Sequence, residues 1–434
     1  MTGEQPAATP PGEPPATPST AEVSPPGERA RIVVRDDLER SRPTVFFRLI
    51  LVIPHLLVLG IFSLLAFTLA FINWFAILFT RKAVAHDMQS RYLRYATHVF
   101  AYLNLGANPY PGFEGAPGSY PIHAEIPPSE PQNRWKTGFR FVLVVPALLL
   151  GGALGVSGGS SSYGNYYSVG VISAAAFLGW FAILAKGRMP RGLRDLVAYC
   201  LSYGVRFWAY ALLVTDRYPD SDPLATKYGE PVPDHPIRIS EDDDLRRSRL
   251  TVFFRLLLAL PHIIWLSLWG IAVLFTVLAN WFVTLFAGRP ADPLHRFNGA
   301  YLRYLTHVSA YLYIVANPFP GFVGRPGSYP IDLQIAPRER QNRWKTGFRI
   351  ILGIPALLLA GAIGGALGLV ALFGWFVGLF TAKMPPGLRN LGVFGLRYQA
   401  QAYGYLFLLT GRYPFSGPSL EQLPAPPAQV PEPA

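Results

Sequence analysis

The chain has 434 residues, room for two or more domains, with 51 % hydrophobic and only 15 % charged residues. A soluble globular chain carries roughly 25 % charge, so a large part of this surface faces something other than water, as a mean hydropathy of +0.26 also says. The 38 Lys+Arg against 26 Asp+Glu flank apolar runs and form no compact basic domain, which points away from nucleic acid and toward anionic membrane lipid.

Residues 1–30 hold eight prolines and no apolar core stretch. They read as a disordered tail with no signal peptide. A repeat follows. The string TVFFRL occurs at 44–49 and again at 251–256, and QNRWKTGFR at 132–140 and 341–349. The loop NPYPGFEGAPGSYPI at 108–122 returns as NPFPGFVGRPGSYPI at 317–331. The chain therefore divides into a tail (1–30), a first membrane unit (31–219), a linker (220–236), a second membrane unit (237–415) and a Pro-rich disordered tail (416–434).

Each half divides again into quarters. A quarter opens on a short alternating segment, at Arg31, Tyr120, His235 or Tyr329, which reads as a strand. A leading arginine follows: Arg48, Arg140, Arg255 or Arg349. A proline comes five or six residues later, and an apolar run leads to Trp-Phe. Trailing basic residues, an amphipathic third helix and a Pro-containing turn close the quarter. The arginine-to-Trp spacing is 26 residues in three quarters and 40 in the second, where SGGSSSYGNYYS is inserted.

That insertion weighs against one helix crossing the bilayer. A helix from Arg48 to Arg81 would be about 50 Å long against a hydrocarbon core of about 30 Å. The Ser/Gly run would also sit at mid-bilayer with unpaired backbone groups. A hairpin with a wet apex at Gly60, at Gly270, in the inserted run, or among Gly361–Gly368 avoids both problems. It also places leading and trailing basic residues on one face, which the positive-inside tendency makes cytoplasmic. The expected architecture is an all-α membrane protein of four repeated helical hairpins, two per half, with interfacial amphipathic helices and short cytoplasmic β-strands. The expected location is the plasma membrane, multi-pass, with both termini cytoplasmic.

Three sets of residues are candidates for function. His55 and Asn73, with His262 and Asn280, lie about 10 Å inside the apolar runs, counted from their basic flanks. A hydrogen-bonded pair tying hairpin arms is the favoured reading over a proton or ligand site. The third helix carries a column at i, i+4, i+8: Arg94, His98, Tyr102; then Arg206 and Tyr210; Arg303, His307, Tyr311; and Arg397 and Tyr405. A wet face of an interfacial helix outweighs capture of an anionic headgroup. Arg134, Trp135, Lys136 and Arg140, with Arg343, Trp344, Lys345 and Arg349, read as membrane-surface anchors. The single Cys200 has no intrachain partner and reads as a buried thiol. No metal constellation, P-loop, HExxH motif or nucleophile elbow is present, and no carboxylate lies inside an apolar run.

The run FFRLLLALPHIIWL, the WF with a following Gly-Arg-Pro, the AYL segment and the closing RYP resemble a bacterial membrane family called domain of unknown function 4389. The resemblance covers about Arg31 to Phe415 in tandem. It implies a bacterial membrane protein and brings no activity, cofactor or site residue with it. Quarters two and four depart from the pattern, with Ala147 and Ala356 in place of His after the proline. The function these observations favour is non-enzymatic: a membrane scaffold or lipid-interacting protein without cofactor or metal, whose cytoplasmic face meets anionic lipid or a protein partner. The alternative is a channel or transporter using the interface between the halves.

Overall fold

The computed structural model describes residues 29–157, 162–163, 166–167, 170–226 and 233–419. Both tails up to residue 28 and from residue 420, and most of the inserted run, lie outside the described residues. Some residues next to the expected tails, and part of the expected linker, pack on the rest of the chain. Arg29 pairs with Asp220, Ala30 is buried, and Ser416 is buried with the chain packed through Ser419. Within the linker, Pro223–Ala225 forms a 3-10 turn, and Asp222 accepts a bond from Asn390 of the other half.

In the first quarter, strand β1 (Arg31–Val34) and helix α1 (Arg42–Phe46) precede α2 (Arg48–Leu51) and α3 (Ile53–Thr80). The last two run on as one 33-residue rod, Arg48–Thr80. The third helix is α4 (His86–Leu103). In the second quarter come β2 (Ile122–Glu125), α5 (Arg134–Gly138), α6 (Arg140–Leu154), a small hairpin of β3 (Ser162–Tyr163) and β4 (Tyr166–Tyr167), then α7 (Val171–Lys186) and α8 (Arg191–Ala211). The second half repeats the plan. It has β5 (Ile237–Glu241), α9 (Arg249–Phe253), α10 (Arg255–Ala287), α11 (Asp292–Leu312), β6 (Ile331–Ile335), α12 (Arg343–Gly347), α13 (Arg349–Thr381) and α14 (Pro386–Leu406).

Among the described residues the helical hairpins expected in the first, third and fourth quarters are absent; the apex expected in the second falls in the inserted run, most of which lies outside them. Arg48–Thr80, Arg255–Ala287 and Arg349–Thr381 are each 33 residues long, and they are apolar and long enough to cross a membrane. Gly60, Gly270 and Gly361–Gly368, expected at hairpin apices, lie inside helix. Glycine weakens a helix by roughly 1 kcal/mol in water. Leaving a backbone donor or acceptor unpaired costs about 1–3 kcal/mol, so the helix continues through these glycines. The leading and trailing basic residues therefore sit at opposite ends of a rod about 50 Å long, not on one face. In the second quarter the rod is interrupted instead. Gly155 turns with φ 84°, and Gly170 lies directly against it, so α6 and α7 meet where the inserted run departs.

The architecture has three layers. The long apolar helices pack on the third helices α4, α8, α11 and α14, which pack on the strands. The strands pair antiparallel, β1 with β2 (Ile32 opposite Ala124) and β5 with β6 (Ile239 opposite Leu333). Helix α4 runs back along α3, with Asn73 near its start, Ser63 against Tyr92, His55 against Tyr95, and Arg48 at its end. The third helices were expected as interfacial helices with a wet face. They are instead the middle layer, and α8 is buried along nearly its whole length. The outer surface of α3 and α10 is a continuous field of exposed apolar side chains, including Leu57, Ile61, Leu64, Phe71, Leu268 and Phe275. The halves join where α13 packs on α6 and α7, with Ala356, Ala360 and Ala366 in one core with Ala147, Ala174 and Ala175. Small residues there let the backbones approach.

Candidate functional site

The two expected polar pairs do not form. His55 and Asn73 lie 18 positions apart on one rod, about 27 Å along its axis. His55 Nδ1 instead meets the Tyr95 hydroxyl at 2.8 Å, and its ring stacks on Phe113 with centroids 4.3 Å apart. His262 repeats this with Tyr304 and with Phe322 at 4.4 Å. Asn73 ties down the start of α4: its Oδ1 accepts from the Val84 and Ala85 amides, and its Nδ2 donates to Gln89 at 2.7 Å. Asn280 Oδ1 accepts from the Ala291 amide in the same way. The repeated NPYPGF and NPFPGF loops supply the aromatic rings. They occur only in the odd quarters, as the histidines do, and that shared distribution was the available signal.

The arginines expected as surface anchors separate into two groups. Trp135 and Trp344 are more than three-quarters exposed, and Arg134, Lys136, Arg343 and Lys345 are exposed beside them. Arg140 and Arg349 are buried, as are Arg48 and Arg255. Each of the four lies over a tyrosine of the third-helix column in its own quarter: Arg48 over Tyr102 at 4.2 Å, Arg140 over Tyr210 at 3.9 Å, Arg255 over Tyr311 at 4.3 Å and Arg349 over Tyr405 at 4.1 Å. Each Nη1 also donates to two carbonyls where the third helix ends, for Arg48 those of Tyr102 and Ala107. A cation beside the negative end of a helix dipole, over a π face, is favourable on both counts. The site is a structural lock repeated four times.

His98, Arg206, His307 and Arg397 of the column also face inward, while Arg94 stays half-buried over a cavity, so the column is not one continuous row of headgroup ligands. Arg206 donates to the carbonyls of Ala30, Asp220 and Ala225, and Arg397 to those of Phe415, Gly417 and Ser419. His98 is buried with its ring 5.0 Å from Tyr120, and burial, reinforced by His123 and Arg94, lowers its pKa to about 4. In the third quarter His307 Nε2 meets Asp332 at 2.7 Å. Burial opposes the Asp332 carboxylate, but bonds from His307 and the Gly327 and Leu333 amides outweigh it and hold its pKa below the usual value. Cys200 is buried, and burial raises its pKa. Among the described residues no group of three or more His, Cys, Asp or Glu is placed to hold a metal.

Two cavities flank α4. One of about 280 Å³ is apolar, between α3, α4, α8 and the α6–α7 break, lined by Phe67, Phe100, Gly155 and Trp208 among others. The other, of about 560 Å³, lies between the middle of α3 and the loop after α4, lined by Phe62, Leu65, Met88, Arg91, Arg94 and Glu114 among others.

A family model described as domain of unknown function (DUF4389) matches residues 42–114, 167–221, 249–323 and 343–416, more than half of the chain. The chain belongs to that family. No curated protein and no solved structure matches it. The DUF4389 matches fall one to a quarter, and the second starts at Tyr167, beyond most of the inserted run. Every one of them contains a Trp-Phe, a third helix and its closing tyrosine. The Arg–Tyr lock is complete within three of the matches. In the second quarter Arg140 lies upstream of the matched segment.

Proposed function

We propose that this DUF4389 protein is a non-enzymatic bacterial membrane protein, a scaffold or lipid-interacting protein of the plasma membrane. Its long helices form the lipid-embedded layer, and its strands face the cytoplasm with both termini. The observation that carries this is the layering. Tyr92, which meets Ser63 near the middle of α3, and Tyr95, which meets His55 near its start, are followed within a turn by Arg94 and His98, which meet the 104–121 loop and Tyr120 beside β2. If α3 crossed the bilayer upright, that loop and strand would lie at mid-bilayer depth, where open sheet edges and irregular backbone are not tolerated against lipid. With the long helices lying in one leaflet, the apolar face of α3 and α10 meets acyl chains and the strand layer meets water. The end of α6 favours the same seating: Val156 turns toward α8, where Trp208 bonds its carbonyl at 3.1 Å. A multi-pass channel between the halves is the competing reading, and the packing of α13 on α6 and α7 fills the interface it would use.

Depth measurements decide between them. Single spin labels at Ile50→Cys, Leu64→Cys and Phe79→Cys in a Cys200→Ala background, in anionic liposomes, should report similar depths. A profile deepest at Leu64 and shallow at both ends would establish crossing. Solute flux through proteoliposomes would establish the channel.

A further inference from the structure

The two halves offer an internal control on the 560 Å³ cavity beside α3. In the first half its apolar wall is Phe62, Leu65 and Met88, and two guanidiniums, Arg91 and Arg94, stand over it. Among the described residues, exposed Arg91 makes no hydrogen bond or ion pair, and Arg94 bonds through Nε to the Gly115 carbonyl at 3.1 Å. The nearby acids are Glu114 on the rim and Asp87, and His123 adds a second buried base next to His98. In the second half the equivalent place is occupied by the protein itself. Trp269 stands where the first half has Phe62, and packs on Phe297, Tyr301 and Tyr304 with centroids within 5.9 Å. Phe297 replaces Met88, Ala300 replaces Arg91 and Val323 replaces Glu114. Arg303 is saturated by the Leu333 and Gly324 carbonyls and by Asp332 at 3.7 Å, where the first half has His123.

We propose that the first-half cavity binds one anionic phospholipid, its phosphate on Arg91 and Arg94 and an acyl chain along Phe62 and Leu65, and that the second-half copy is closed to ligand by its own aromatic side chains. The inference rests on the membrane seating proposed above. With the long helices in the leaflet, the base of α4 lies at the level of the headgroups, directly above the acyl layer. Two guanidiniums there match a phosphate in charge and geometry. The exposed Ile61 and Leu64 beside the cavity continue its apolar wall into the lipid face.

The test uses the full chain released from nanodiscs holding equal dioleoyl phosphatidylglycerol and phosphatidylcholine, with retained lipid read by native mass spectrometry. The wild type should retain one phosphatidylglycerol in about tenfold preference, as expected for two charge-assisted contacts. Arg91→Gln, at an exposed position, should remove most of that preference. So should the triple variant Phe62→Trp, Met88→Phe, Arg91→Ala, which installs the third-quarter side chains, with thermal unfolding unchanged in both. Equal retention of both lipids by the wild type, or an unchanged preference in the variants, would overturn the site. Displacement of the lipid by millimolar inorganic phosphate would show an anion site without a tail, and overturn the amphiphile. The spin-label depths are read independently, so a failed site with in-leaflet labels leaves the membrane reading standing.

Discussion

Replacing Arg48 by methionine tests whether the four arginine locks hold the fold. Methionine keeps most of the apolar stem and removes the guanidinium. Two carbonyls at the end of α4, bonded at 2.9 and 3.0 Å, lose their donor. Bonds to charged groups are worth about 1.5–3 kcal/mol each, and the stack on Tyr102 adds about 0.5–2 kcal/mol. Relief from burying the charge offsets several kcal/mol of this, leaving a net loss of about 2–4 kcal/mol. Equilibrium unfolding of the purified protein in mild detergent measures it. In a double-mutant cycle with Tyr102→Leu the coupling should be about 0.5–2 kcal/mol. Arg48→Lys should recover only part of the loss, since a point donor cannot match the planar fork over the ring. A loss below about 0.5 kcal/mol, or full rescue by lysine, would refute the lock.

His55→Ala and Asn73→Gly should be additive within about 0.5 kcal/mol in a second cycle, because each residue bonds α4 and not the other; coupling beyond that would restore the direct pair. His98, with its pKa lowered to about 4 by burial, is neutral when folded, while unfolding returns it to about 6.5. Its contribution is therefore complete above pH 6.5 and is lost as pH falls toward 4, by up to about 1.4 kcal/mol per pH unit. His235, likewise lowered to about 4, and His123 and His295, also lowered by burial, follow the same sign, so His98→Gln should remove only part of the slope; a flat stability profile between pH 7 and 5 would contradict this sign.

The quarters, their strands and their third helices were legible because each has a local signature: alternation at Ile122–Glu125 and Ile331–Ile335, and an amphipathic period at His86–Leu103. The unbroken long helix was not, because Gly60 and Gly361–Gly368 carry the same signal as turn glycines, and local sequence does not distinguish a glycine inside a helix from one at an apex. The inward column was misread for a related reason. Periodicity placed Arg94, His98 and Tyr102 on one face, but polar residues on a helix face name water only when nothing else covers them. Here the strands and the leading arginines do. The lock itself joins residues 54 to 70 positions apart, a separation no local pattern reveals.

Those separations bear on the order of events during synthesis. Every lock closes within its own quarter, between the first turn of a long helix and the last turn of the third helix that follows it. Closing a loop of that size costs little more entropy than closing one of half the length. A quarter can therefore fasten as soon as its last carbonyl leaves the ribosome, before the next apolar run appears. Contacts between quarters, such as α4 on α8 and α13 on α6, come later. The chain would then fold as four successively latched pieces, each keeping its own apolar run off its neighbours' until it is packed.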